Sequence, residues 1–145
     1  MFGFGVESRG RKGGLALFWR KSVSVIIQSF SNSHIDATVQ RTDSPFTWRL
    51  TGFYGEPEVT KRKLTWNLLS KLSSQSKRPC LCYGDFNELL DNTEKEGGVQ
   101  RPNWQIRDFR QTLDTSGLQD LEFLGECFTW CNRQDHPNTT REKIG

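Results

Sequence analysis

No two cysteines of this 145-residue chain stand in a C-x-x-C spacing, so Cys80, Cys82, Cys127 and Cys131 do not read as a zinc ribbon. There is no long apolar run either, and nothing approaches the length of a membrane span. No signal peptide is expected at the N-terminus, because Val6 is followed by Glu7 before any useful apolar stretch. Both absences point to a nuclear or cytoplasmic, not secreted, protein with buried, reduced thiols. Histidines number two, and neither His34, at a polar strand start, nor His136, in a polar tail, lies in a segment that suggests general-base work. No charge of one sign dominates. Twenty Lys and Arg against seventeen Asp and Glu leave +3, which suits a polyanionic partner without demanding one. Repeats, low-complexity tracts and internal linkers are absent, so the length fits one domain. The hydrophobic share is low at 34%, partly offset by five Trp and ten Phe, each of which buries a large apolar area.

What is present alternates. Residues 1–12 are Gly-rich and then basic, and are expected to be a loop or frayed start, with the domain running over 13–145. The run 14–19 is continuous and apolar, and Val23, Val25 and Ile27 alternate with more polar neighbours. Ile35, Ala37 and Val39 repeat the pattern, and 46–54 gives a fourth strand. Then the period changes. Leu64, Leu68 and Leu72, widened by Trp66 and Leu69, predict a helix over 59–73 with Lys61, Arg62, Lys63 and Lys71 facing out. A second helix is expected from an Asn103 N-cap, through Ile106, Phe109 and Leu113, to a Gly117 stop. Residues 120–121 and 128–131 read as short strands.

Between the helices lies the stretch around which the chain is organised. Cys80, Leu81, Cys82 and Tyr83 read as a buried central strand ending at Gly84, with Asp85 and Asn87 just beyond. A carboxylate there accepts a proton or holds a water, and an amide both donates and accepts. Asp and Asn are also ordinary turn formers, so the pair alone does not establish chemistry.

Its company does more. Gly13, Gly14, Leu15, Ala16, Leu17, Phe18 and Trp19 come first, then His34, Ile35, Asp36 and Ala37. Arg49, Leu50, Thr51, Gly52, Phe53, Tyr54 and Gly55 follow, then Gly84, Asp85, Phe86, Asn87 and Glu88, and finally Phe128, Thr129, Trp130, Cys131 and Asn132. In this order the five stretches resemble the endonuclease/exonuclease/phosphatase superfamily. The closest likeness is to the endonuclease domain of plant LINE-type non-LTR retrotransposons. The resemblance implies an α/β fold, part of a four-layer αββα sandwich of two stacked, largely antiparallel sheets. It implies hydrolysis of DNA phosphodiesters with Mg²⁺. Asp85 would deprotonate the attacking water, Asn87 would hold that water or a phosphate oxygen, and Tyr54 would touch the scissile phosphate. A strand-end aromatic with a wet hydroxyl also accounts for Tyr54. Trp130 would lie near nucleotide, or simply pack. Arg101, with Arg9, Arg11, Lys12, Lys77, Arg78, Arg107 and Arg110, would track a nucleic-acid backbone or serve as solvated surface charge.

The departures matter as much. The superfamily's metal-binding Glu and an upstream Asn have no counterpart here, and neither does its closing Ser-Asp-His strand. Glu88 or Asp91 would replace the metal ligand only if their loop folded back. Gly145 stands where relatives place the Asp that orients the catalytic His. The expected protein is therefore a catalytically incomplete fragment of an endonuclease domain. A non-catalytic nucleic-acid- or protein-binding remnant, or a phosphatase of the same superfamily, are the alternatives.

Overall fold

The computed structural model describes residues 1–10, 14–121 and 124–143. Arg11, Lys12, Gly13, Ile144 and Gly145 lie outside the described residues. Two strands, β1 (Phe2–Val6) and β2 (Leu15–Trp19), pair antiparallel in one small sheet. A second sheet runs β3 (Val23–Ser31), β4 (His34–Arg41), β5 (Thr47–Tyr54), β6 (Cys80–Asp85), in that spatial order. Its first three strands are antiparallel neighbours joined by tight turns, as the short links require. β6 joins β5 in parallel, so the connection must cross over, and helix α1 (Arg62–Ser74) makes that crossing.

The two sheets face each other across Leu17, Ile35 and Ala37, with Phe4, Trp19, Val25 and Leu50 packed around them. Alternation decides this. On β4, Ile35, Ala37 and Val39 point to the small sheet, whereas His34 and Asp36 fall on the opposite face. That opposite face is covered by α1 and by α2 (Asn103–Thr115). Phe53 of β5 stacks on Phe86 at 5.2 Å between ring centres, Phe86 meets Phe109 of α2 at 5.9 Å, and Phe109 meets Trp66 of α1 at 5.9 Å. Burial of each ring stabilises by about 2 kcal/mol. The column also fixes the segment just after β6 from below. A third sheet of short strands, β7 (Lys95–Glu96), β9 (Arg141–Glu142) and β8 (Trp130–Cys131), closes the C-terminal side.

The fold is the expected α/β sandwich, and the described residues build two stacked sheets with helices on one side. Several details differ from expectation. The N-terminal residues are no loop: Phe2, Phe4 and Val6 pair with Trp19, Leu17 and Leu15. Gly3 and Gly5 weaken the strand locally, and cross-strand partners restore it. β6 is an edge strand among the described residues, not a central one, and Leu81 and Tyr83 are about 40% exposed. Residues 120–121 are not a strand, and the expected strand at 128–131 shrinks to β8. None of the four cysteines is fully buried, and all four thiols are free. On α1 the buried stripe is Arg62, Thr65, Trp66, Leu69 and Leu72, and Leu64 points to solvent.

Candidate active site

The parallel register pairs Tyr54 with Asp85, each the last residue of its strand. Two glycines permit the chain to turn here. Gly84 has φ +139, and a Cβ would sit 1.9 Å from the Phe53 carbonyl oxygen. A Cβ on Gly55 would sit 2.1 Å from the Phe86 carbonyl oxygen. No other residue fits either position without moving backbone. The Asp85 carboxylate then accepts from the Asn87 amide N–H at 2.8 Å, an Asx turn. Asn87 itself adopts φ 53, which its short polar side chain tolerates. Its Nδ2 donates to the Gly55 carbonyl at 2.8 Å, and the Gly55 N–H donates to the Asp85 carbonyl at 2.7 Å. Asp85, Asn87 and Tyr54 are thus locked onto one end of two adjacent strands.

Burial pushes the Asp85 carboxyl above its ordinary value, against the lowering pull of the Asn87 N–H and of the Arg62 charge. A carboxylate shifted upward is a better base. Arg62 does not neutralise it directly, because Arg62 belongs to another acid. Its Nη1 donates to Glu88 at 2.6 Å, both side chains being at most 5% exposed. Arg101 lies 3.4 Å from the other Glu88 oxygen and 3.0 Å from Glu142, and Lys95 meets Glu142 at 2.7 Å. A chain of ion pairs, buried at both ends and partly exposed at Arg101, therefore runs from α1 through Glu88 to β9. Such pairs add little net stability but fix geometry, since losing one partner strands a buried charge.

Sequence patterning missed this network. Arg62 was expected to face solvent, yet it lies on the line of Trp66 and Leu69 at helical spacing, which is the signal that marks it as inward. Glu142 gives no such signal, because its burial depends on pairing with β7 and β8.

Glu88 and Asp91, the expected substitutes for the metal ligand, have other partners. Glu88 is held by arginines, and Asp91 accepts from the Thr93 N–H and pairs with Arg110 at 2.9 Å. The described residues contain no group of three or more His, Cys, Asp or Glu placed to hold a metal ion. Asp85 offers one carboxylate, so the donor set present does not fit a complete divalent-cation site. Of the other expected contacts, Trp130 is 43% exposed on β8. Arg101 spends its charge on Glu88 and Glu142. His34 is buried between the hydroxyls of Ser29 and Ser31, and burial keeps its pKa low. No helix among the described residues is long and apolar enough to cross a membrane.

Residues 2–142 match the family described as Endonuclease/Exonuclease/phosphatase. Among solved structures, the chain is similar to the endonuclease domain of TRAS1, a telomere-specific non-LTR retrotransposon, with a TM-score of 0.73. Identity is 15%, so this likeness is one of fold, and it covers 99% of the chain. The chain spans 64% of that structure's length. No curated protein matches the sequence.

Proposed function

Because the chain belongs to the endonuclease/exonuclease/phosphatase family, we propose that it carries the water-activating turn of a DNA endonuclease-like phosphodiesterase of retrotransposon type. The observation that carries the reading is the in-register pairing of Tyr54 with Asp85, with Asn87 tied back to Gly55. In this reading Asp85 takes a proton as a water oxygen bonds to phosphorus. The bond from phosphorus to the departing sugar oxygen breaks, and that oxygen takes its proton from solvent. Asn87 holds the water or a phosphate oxygen, and the Tyr54 hydroxyl donates to the phosphate. Trp130 supplies a stacking surface for a base, and Arg101 acts near the nucleic acid through the carboxylates it positions.

Mg²⁺, the cation the resemblance implies, would neutralise charge on the phosphate, and the donor set described here does not complete its site. In this reading the 145-residue chain by itself is catalytically incomplete. A second reading, a nucleic-acid-binding element without chemistry, is favoured by the commitment of Glu88 and Asp91 to arginines. A nuclear or cytoplasmic location suits either, given four free thiols.

The test is nicking of supercoiled plasmid by the chain and by Asp85→Ala, each in Mg²⁺ and in EDTA, beside DNA retention across a salt series. Retention that weakens with salt, without nicking above background, is the expected result. Nicking that needs Mg²⁺ and Asp85 overturns the incompleteness and upholds the chemistry. Absence of retention at low salt overturns the nucleic-acid partner.

A further inference from the structure

At the other end of β6, roughly 17 Å along the strand from Asp85, a second constellation surrounds a cavity of about 240 Å³. It lies between the start of β6, the C-terminal end of α1 and the segment after α2. Its lining contains three cations, Arg49, Lys77 and Arg78, and no carboxylate. Thr51, Ser73, Ser76 and Ser116 add hydroxyls to its wall.

Arg49 is the telling member. It is 4% exposed, inside the sheet–helix interface. Its Nε donates to Asp36 at 2.7 Å, and its Nη1 donates to the Leu72 carbonyl at the end of α1. Nη2 is buried and has no hydrogen-bond partner. A buried guanidinium nitrogen without an acceptor is costly and calls for an explanation. Asp36 does not supply it: one of its oxygens already accepts from both Arg49 and Thr51, and Asp36 does not line the cavity. Lys77 and Arg78 stand exposed on the cavity wall, Arg78 with its Nε on the Thr47 hydroxyl. A void of this size holds several waters or one small anion, and falls short of the roughly 300 Å³ at which drug-sized ligand sites begin.

We propose that this cavity binds a phosphate-sized oxyanion, whether free inorganic phosphate or the terminal phosphate of a nucleic acid. An oxyanion accepts from the unpartnered Nη2 of Arg49, a residue of the cavity lining, and Lys77 and Arg78 balance its charge. The carbonyl end of α1, which would repel an anion, is already capped by Arg49. The site is independent of the Asp85 turn, so its failure leaves the proposed hydrolysis untouched.

The experiment compares melting in inorganic phosphate with melting in chloride of equal ionic strength. It uses the wild-type chain, a Lys77→Ala/Arg78→Ala variant, and a Lys21→Ala/Lys63→Ala control that removes the same charge from exposed positions elsewhere. Phosphate is expected to raise the wild-type and control melting temperatures by several degrees, with apparent affinity about ten-fold weaker in the site variant. A short oligonucleotide with a 5′-phosphate then competes with inorganic phosphate, beside the same oligonucleotide without it. Competition by the phosphorylated form alone assigns the site to nucleic-acid ends, and competition by neither assigns it to the free ion. Equal stabilisation by phosphate and chloride, or equal phosphate response in wild type and site variant, overturns the proposal.

Discussion

At its C-terminal end β6 delivers Asp85 into a half-buried turn where no cation among the described residues touches the carboxylate. Beside its N-terminal end lies a carboxylate of the opposite kind: Asp36 is 3% exposed and is met by Arg49 and Thr51 within 2.8 Å. Glu88, only three residues beyond Asp85, is treated like Asp36, with Arg62 on one oxygen and Arg101 near the other. The fold therefore pairs the acids it uses as struts and leaves unpaired the one it presents at a strand end. The difference locates the site better than residue type does. A paired carboxylate is committed, whereas one raised by burial and held only by a backbone N–H keeps its basicity for chemistry.

This contrast breaks most visibly at Glu88. Glu88→Ala strands Arg62 in the interior, and urea unfolding is expected to show a loss of about 3–5 kcal/mol. A loss no larger than that of an exposed-surface substitution would remove Glu88 from the class of struts. Thr51→Val deletes one of the two donors to Asp36 and fills the same space. The expected loss by the same measurement is about 2 kcal/mol, the range for a hydrogen bond to a charged group. Asn87→Ala removes the bond to Gly55 and places a Cβ without polar help at φ 53. About 1–2 kcal/mol is expected, with faster proteolysis confined to the turn.

The smallest effect carries the opposite sign. The Asp85 carboxyl is raised above 3.8 by burial. A group raised in the folded state contributes its stability below its unfolded pKa and loses it as pH rises through the folded value. Asp85→Asn keeps the acceptor for the Asn87 N–H and removes the ionisation. The variant is expected to melt above wild type at pH 7, with the gap closing as pH falls through the raised folded value toward 3.8 and gone below it. Melting curves across that range check it. A variant less stable than wild type at neutral pH would place Asp85 among the paired struts.

Much of this arrangement was legible from local pattern. Strand β2 follows its continuous apolar run, β3 and β4 follow alternation, α1 and α2 follow the change of period, and Gly117 ends α2 with φ +66 as a helix stop should. The Asp85 turn announced itself through Gly84 and the Asp and Asn spacing. Residues whose role depends on a partner far along the chain stayed hidden. Arg62 looked like surface charge because its partner Glu88 lies 26 residues away. Phe2 to Val6 looked like a loop, since a Gly-rich strand shows itself only against β2.

The sequence alone determined which segments extend, which coil and where the backbone can turn sharply, because those choices depend on neighbours within a few residues. Tertiary structure alone decided which carboxylates would be paired. Arg49 reaches Asp36 across the β4–β5 pairing, and Arg101 reaches Glu142 across 41 residues. Desolvation of a charge depends on everything packed around it, so the free Asp85 and the bound Glu88 become distinguishable only once sheets and helices are in place.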